Sequence, residues 1–560
     1  MAYSFTHSER AAMMKSLQNE PLDLLIIGGG VTGAGILLDA HSRGLRAAVI
    51  EMQDFAAGTS SRSTKLVHGG LRYLKQLDIE VVAEVGEERA IVYENGPHVT
   101  TPLWMMLPIV EHGTYGMFMS AIGLYIYDRL ARVKPEERRT MLTAEEALKI
   151  EPLLNPKGLK GAGNYVEYRT DDARLTLEII KEAVSRGAIA INYTKAEDLV
   201  YESGQVAGAK VKDLLTGDAY TIYAKKVVNA TGPWVDRLRE IDHSKQGKTL
   251  HWTKGVHIVI DGERFPLQNP IYFDVPDGRM IFAVPRAGKT YVGTTDTNYH
   301  NDPQHPVTTK ADRDYLVECI NYMFPSVALV ANDVESFWAG VRPLIHEEGK
   351  APSEISRKDE IFTSKSHLIT IAGGKLTGYR KMADKVVTFV ADLLGKENQQ
   401  QYPACQTDKI ELSGGKFGGS ANMPNFVAEK IAEGVTLGLG EQEASKLAHR
   451  YGTNIDRLYE IIRTKGEQAQ DSGLALEVFA ALVYGINHEM VITPSDFFIR
   501  RTSAMFFDVK WVQTWKEPVL NYMTSYFKWD DARMTAYKEE LNQYIREATQ
   551  VIEVGGAYNE

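Results

Sequence analysis

The chain has 560 residues, 44% hydrophobic and 24% charged, with a formal net charge of −10 from 63 basic and 73 acidic side chains. That length exceeds one ordinary domain and predicts two or three cores. The acidic balance argues against non-specific nucleic-acid binding while leaving room for a local cationic pocket. Two cysteines, Cys319 and Cys405, have neither metal-ligand spacing nor the density of a disulfide scaffold; Cys319 reads as a core thiol, and no metal site is expected. The first fifteen residues lack the apolar run of a signal peptide, and no clean apolar span of roughly 20 residues follows. A cytoplasmic protein is expected.

In chain order, residues 1–20 read as a short polar helix or arm. Leu22–Ile27 reads as a strand, Gly28, Gly30 and Gly33 form Gly-x-Gly-x-x-Gly, Thr32–Ser42 continues as a helix, and Leu45–Ile50 is a second strand ending at Glu51. This order suits a dinucleotide: Gly28 for the tight turn, Gly30 for close approach of a pyrophosphate, and Gly33 for helix-on-sheet packing. Glu51 can accept from a ribose diol and disfavours a 2′-phosphate, so FAD or NAD is expected rather than NADP. The hydroxyl-rich loop Gly58–Thr64 follows, and then His68-Gly69-Gly70-Leu71-Arg72-Tyr73, where paired glycines admit a bulky ligand beside Arg72 and Tyr73.

Residues 79–95 read as a helix. Trp104–Val110 and Tyr115–Leu130 carry large apolar side chains and precede a basic run, which suits a buried helix with a solvated end or an interfacial membrane contact. Thr143 and Glu146 have capping-box spacing. Asp171 and Asp172 open a helix, hairpin material follows through residue 224, and Lys226–Trp234 is a strand running into Gly232. From His251 to Glu360 the pattern is strand-rich and antiparallel, interrupted by a helix over Lys310–Phe324. Leu368–Leu376 repeats the strand-to-glycine theme at Gly373 and Gly374, with a helix from Tyr379 to Leu394. Three strand ends, at Gly28, Gly232 and Gly373, can therefore meet one extended ligand, which favours a flavin dinucleotide. Gly395–Pro403 is a polar linker, and the remainder is mostly helical.

The cations Arg72, Lys254, Arg342 and Lys375 sit beside glycines or strand ends and suit an anionic substrate, above all a phosphate. His257 could take a hydroxyl proton beside a flavin, with His68 and His346 as weaker rivals.

The blocks IIGGGVTGAGILLDA, SSRSTKLVHGGLRYL, KGVHIVI, VGTTD, AGVRPL, GGKLTGYRKMA and TPSDFFIRRT extend from about residue 21 to 505. On them the sequence resembles the FAD-dependent, respiratory glycerol-3-phosphate dehydrogenases, within a class that includes D-amino-acid-oxidase-like flavoproteins. The resemblance implies an α/β fold: a Rossmann-like FAD-binding domain (20–100, 155–240 and 360–398), an antiparallel-sheet substrate domain (101–154 and 241–359) and a C-terminal helical domain (404–560). It implies oxidation of sn-glycerol 3-phosphate to dihydroxyacetone phosphate, with electrons passing through non-covalent FAD to a membrane quinone, and so a cytoplasmic enzyme with peripheral contact at the inner face of the cell membrane. A glycerol-3-phosphate oxidase using O2, or another FAD-dependent oxidase, is the alternative. By resemblance the cofactor-binding residues are Gly28, Gly30, Gly33, Glu51, Ser60, Ser61, Lys65, Gly70, Gly232, Gly373, Gly374, Lys375, Leu376 and Thr377. Arg72, Tyr73, Lys254, Arg342 and Lys375 hold substrate; His257, Arg342 and Lys375 carry catalysis. Gly378 replaces a threonine of the family pattern.

Overall fold

The computed structural model describes residues 4–68, 79–111, 113, 138–347, 359–373 and 375–553. Strand Leu22–Ile27 lies at the centre of a sheet of eight strands among those residues, with Ala47–Ile50 and then Ile189–Ile191 parallel to it on one side. Ala219–Asn229 and then Ile369–Ala372 are parallel on the other side, and Glu360–Thr363 closes the edge antiparallel. Leu22, Leu24, Leu25 and Ile26 are all buried because helices cover both faces, as a parallel sheet requires. Helix Val31–Ser42 packs on one face with helices Asp172–Ser185 and Tyr379–Asn398. Gly35 permits the second contact, since a Cβ there would stand 3.0 Å from Tyr379 Cδ2. On the other face, helix Arg10–Asn19 buries Met13, Met14 and Leu17 against Leu22 and Leu25. The amino-terminal arm is thus half core.

The second sheet has ten strands among the described residues and is almost wholly antiparallel. Its spine is the pair Lys248–Asp261 and Val334–Glu347, in register at Gly255 with Gly340 and at His257 with Trp338. Helix Lys310–Met323 covers one face through Leu316, Ile320 and Met323, and Cys319 is buried there as a core thiol.

Three expectations change. Trp104–Val110 belongs to strand Thr100–Val110, not to a helix: Met105–Ile109 are buried in a wide sheet while Trp104 is exposed, and an unbroken apolar run carries no period to separate strand from helix. Tyr115–Leu130 lies outside the described residues. Strand Leu159–Thr170, assigned by sequence to the cofactor side, pairs with Thr100–Val110 in the antiparallel sheet. Helix Tyr379–Asn398 continues into the stretch read as a linker. The Thr143 capping box forms as expected, with the Glu146 N–H donating to Thr143 Oγ1 at 3.2 Å.

Beyond residue 420, helices Met423–Thr436, Glu441–Tyr451, Ile455–Lys465, Leu476–His488, Val509–Phe527 and Asp531–Thr549 form the third layer. Their core is continuous with Val259, Val284, Tyr291 and Trp338 of the antiparallel sheet. A nucleotide-binding-type α/β sheet, an antiparallel sheet and a C-terminal helical bundle are therefore all present, as the sequence predicted.

Candidate active site

One cavity of about 340 Å³ runs between the two sheets, from Glu51 and Met52 past the glycine turn to Gly255, His257 and Arg342. At its nucleotide end the glycines are required by backbone contact. Gly28 has φ +115°, and a Cβ there would lie 2.4 Å from Ala230 O; a Cβ on Gly33 would lie 1.9 Å from Gly28 O. Helix Val31–Ser42 starts at Gly30, so its first N–H groups and positive dipole end face the cavity. Ser60 Oγ accepts from the Val31 N–H at 2.9 Å. Glu51 accepts from the N–H groups of Gly29 at 2.7 Å and Gln53 at 2.8 Å, which leaves lone pairs on both oxygens for a ribose. Burial pushes its carboxyl up, opposed by those two backbone bonds. Gly232 and Gly373, at the ends of the neighbouring parallel strands, line the same cavity. An elongated dinucleotide fits such a cleft: three strand ends without side chains, a helix N-terminus and a buried carboxylate lie along it.

At the other end the antiparallel sheet contributes. His257 stacks on Trp338 with ring centroids 4.7 Å apart, and its Nε2 is 3.0 Å from Thr64 Oγ1. Its Nδ1 is buried without a partner. Burial, then the charges of Arg342 and Lys65, hold its pKa well below 6.5, so the ring is neutral at neutral pH. Arg342 donates through Nη1 to Asp296 Oδ1 at 3.1 Å and through Nη2 to Thr294 Oγ1 at 3.0 Å. Here glycines make room for side chains. A Cβ on Gly255 would lie 2.4 Å from Arg342 Nη2, and one on Gly293 would lie 2.2 Å from His257 Cδ2. Thr377 Oγ1 accepts from the His68 N–H at 3.1 Å and donates to His68 O at 3.2 Å, tying the segment after Gly373 to the one after Thr64. Burial lowers the pKa of His68, which also lines the cavity.

Of the residues singled out by sequence, Gly28, Gly30, Glu51, Ser60, Gly232, His257, Arg342, Gly373, Lys375, Leu376 and Thr377 line this cavity. Gly33 stands behind it as a packing contact. Gly70, Arg72, Tyr73 and Gly374 lie outside the described residues. Three residues are placed differently. Lys254 does not face the cavity: its Nζ is 2.5 Å from Asp312 Oδ2 and 3.2 Å from Val307 O. Strand alternation is the reason, since Gly255 and His257 share the cavity face and residue 254 must point to the helix on the other side. Lys65 Nζ is buried on Asp172 Oδ1 at 2.6 Å and Ser61 O at 2.9 Å, so both Lys65 and Ser61 brace the loop from behind the wall.

The sequence reading passed over Thr64 and Trp338, the two partners of His257. Thr64 stands in a quoted block and Trp338 immediately before one, but their pairing with His257 is cross-strand or cross-domain and leaves no local spacing. Cavity-lining Trp234 and Arg237, just past Gly232, were passed over as well. Among the described residues one trio, Asp39, Asp384 and Cys405, has ligand atoms within 4.8 Å of one another. Arg43 occupies it, donating to Asp39 Oδ2 at 2.7 Å and Asp384 Oδ1 at 2.9 Å.

The profile of the FAD dependent oxidoreductase family matches residues 23–378, and that of the C-terminal domain of alpha-glycerophosphate oxidase matches residues 405–534. The chain is 56% identical over 553 residues to an aerobic glycerol-3-phosphate dehydrogenase of Bacillus subtilis (strain 168), covering 99% of this chain and 100% of its relative. The enzyme of the same description from Staphylococcus aureus (strain USA300) is 56% identical over 542 residues, covering 96% of this chain and 97% of its relative. The X-ray structure of the glycerol-3-phosphate dehydrogenase from Bacillus halodurans complexed with FAD matches with a TM-score of 0.85 at 48% identity, covering 99% of this chain and 100% of that one.

Proposed function

The chain belongs to the FAD dependent oxidoreductase family and, within it, to the aerobic glycerol-3-phosphate dehydrogenases; from that membership we propose that it oxidises sn-glycerol 3-phosphate at C2 to dihydroxyacetone phosphate, passing the electrons to a membrane quinone. The cofactor is FAD, which when bound supplies the two-electron redox step. The observation that carries the substrate assignment is the meeting of a neutral buried imidazole, His257, with the cations Arg342 and Lys375 at one cavity.

Each of the chain's groups has a role in this reading. Glu51 accepts from the adenosine ribose, and Gly28, Gly30 and the start of helix Val31–Ser42 face the pyrophosphate. Arg342, fixed by Asp296 and Thr294, and Lys375 hold the anionic substrate and stabilise negative charge as it develops. His257 Nδ1 is sealed, so the C2 hydroxyl proton moves toward Nε2 and the Thr64 hydroxyl that shares its hydrogen bond. Arg72 and Tyr73 remain substrate-holding candidates on the sequence alone. Lys254 and Lys65 support the walls.

The alternative, an oxidase delivering electrons to O2, uses the same residues, and the match of residues 405–534 to an oxidase domain keeps it in view. One experiment tests both. Anaerobic addition of sn-glycerol 3-phosphate should bleach the flavin, and a soluble quinone should restore its colour faster than air. Bleaching followed by faster recovery in air would favour the oxidase, and no bleaching would remove the substrate assignment. Transfer to a quinone calls for peripheral contact with a bilayer at the cytoplasmic face; no helix among the described residues is long and apolar enough to cross a membrane.

A further inference from the structure

Behind the nucleotide end of the cavity lies a group of charges with no part in the chemistry above. Glu51, Met52, Gln53, Ala57 and Gly58 line the cavity, and between them Asp54 and Phe55 turn into the protein. This loop also braces the glycine turn: the Ala56 N–H donates to Gly29 O at 3.0 Å, and Phe55 packs against Gly29. Ala56 holds φ +63°, a left-handed conformation that an alanine adopts only where its surroundings enforce it.

Those surroundings are charged and come from the far end of the chain. Arg501 grips Asp54 with two donors, Nη1 to Oδ2 at 2.6 Å and Nη2 to Oδ1 at 2.9 Å. Arg500 Nε donates to the same carboxylate, and Asn192 Nδ2 donates to Oδ1 at 3.0 Å. Burial alone would push the Asp54 carboxyl up, but Arg501 and Arg500 hold it down to about 2. Both arginines extend from the wide helical turn Asp496–Arg501 and are fixed in their own domain, Arg500 by Asp496 at 2.7 Å and Arg501 by the Glu489 carbonyl at 2.7 Å. Glu489 in turn binds Arg174 and Lys181, which also bind Glu178. Four carboxylates (Asp54, Asp496, Glu489 and Glu178) thus face four cations (Arg500, Arg501, Arg174 and Lys181) without solvent. Buried ion pairs contribute little net stability against apolar residues of equal size, and their best-attested use is to fix one arrangement over others. The arrangement fixed here is the backbone that carries Glu51.

We propose that Arg500 and Arg501 are positioning residues for the cofactor: by holding Asp54 they set the loop 51–58, so the C-terminal helical domain governs how tightly FAD is retained. The inference rests on the reading of Glu51 as the ribose acceptor, and its test needs no substrate. Holoenzyme is diluted and FAD release is followed by the rise in flavin fluorescence, beside a thermal melt of each variant. Asp54→Asn should release FAD about tenfold faster or more, the size of a typical coupling between linked sites. Lys181→Met, in the same charge group but on Glu178, Glu489 and Tyr484, should lower the melting temperature and leave the release rate near wild type. If Asp54→Asn does not fold, Arg500→Lys, which keeps the charge and loses the second donor, should show faster release in the same assay. Wild-type release from whichever of Asp54→Asn and Arg500→Lys folds would overturn the proposal, as would equal acceleration in Lys181→Met, since either reduces the charges to general stability. A failure to oxidise glycerol 3-phosphate would leave the release rates, and this conclusion, unaffected.

Discussion

The two ends of the cavity both depend on glycines, for opposite reasons. At the glycine turn after Leu22–Ile27, Gly28 and, in the following helix, Gly33 are packed against backbone, and the atoms a side chain would strike cannot move without undoing the turn. In the antiparallel sheet, Gly255 and Gly293 lie beneath the side chains of Arg342 and His257, and the obstacle is the functional group itself. One set shapes the backbone turn; the other leaves room for the Arg342 and His257 side chains, the residues proposed to act on a ligand. The first set belongs to folding, and the second to the catalytic end as proposed.

That contrast fixes what alanine does at each place. At Gly33, a Cβ 1.9 Å from Gly28 O should destabilise the protein by about 4 kcal/mol or more, the range reserved for strain and overpacking. Thermal melts and flavin content should fall together; a folded, fully flavinated Gly33→Ala protein would erase the distinction. At Gly255 the guanidinium of Arg342 can swing aside, so the fold and FAD content should survive while kcat/KM for glycerol 3-phosphate drops by about 10²–10³, as for loss of one preorganised charge-stabilising group. Loss of flavin in Gly255→Ala would move this glycine into the first class.

The smallest effect expected is a pH response that is absent. His257 has a folded pKa well below 6.5, so it stays neutral as pH falls through that value, and kcat/KM should show no histidine step there. The sign for stability is the reverse of a salt-bridged histidine: the unfolded chain takes up the proton that the folded one refuses, so this residue lowers stability as pH falls below 6.5. A descending limb with a midpoint near 6.5 that disappears in His257→Asn would show that the imidazole is not held neutral, and the catalytic end would then resemble a solvated surface.

The same contrast explains what could be read from residues alone. The nucleotide turn was legible because its contacts are local: Gly28, Gly33 and Glu51 stand at fixed offsets within one strand–helix–strand unit. Gly232 and Gly373 were legible as strand ends, and adjacency in one parallel sheet brings them together. The catalytic end was legible only as residue types. Lys254 and His257 are three positions apart in one quoted block, yet strand alternation sends them to opposite faces. Thr64 reaches His257 across 193 positions, a relation no spacing announces. Trp104–Val110 was misread because a buried strand in a wide sheet loses the polar alternation that would separate it from a helix.

The grip on Asp54 also has a consequence for synthesis. The loop carrying Glu51 leaves the ribosome early, whereas the guanidinium groups that hold it follow 446 and 447 positions later. At roughly 5–20 residues per second that interval lasts about 20 to 90 seconds. Through it the growing chain has its glycine turn and the strand Ala47–Ile50, and later Ala219–Asn229, but not the clamp, so on this proposal firm FAD loading would wait until the chain is nearly finished. On the proposal that these arginines set the loop, polypeptides ending before residue 500 should shed their flavin, and the clamp would then act as a check on completeness.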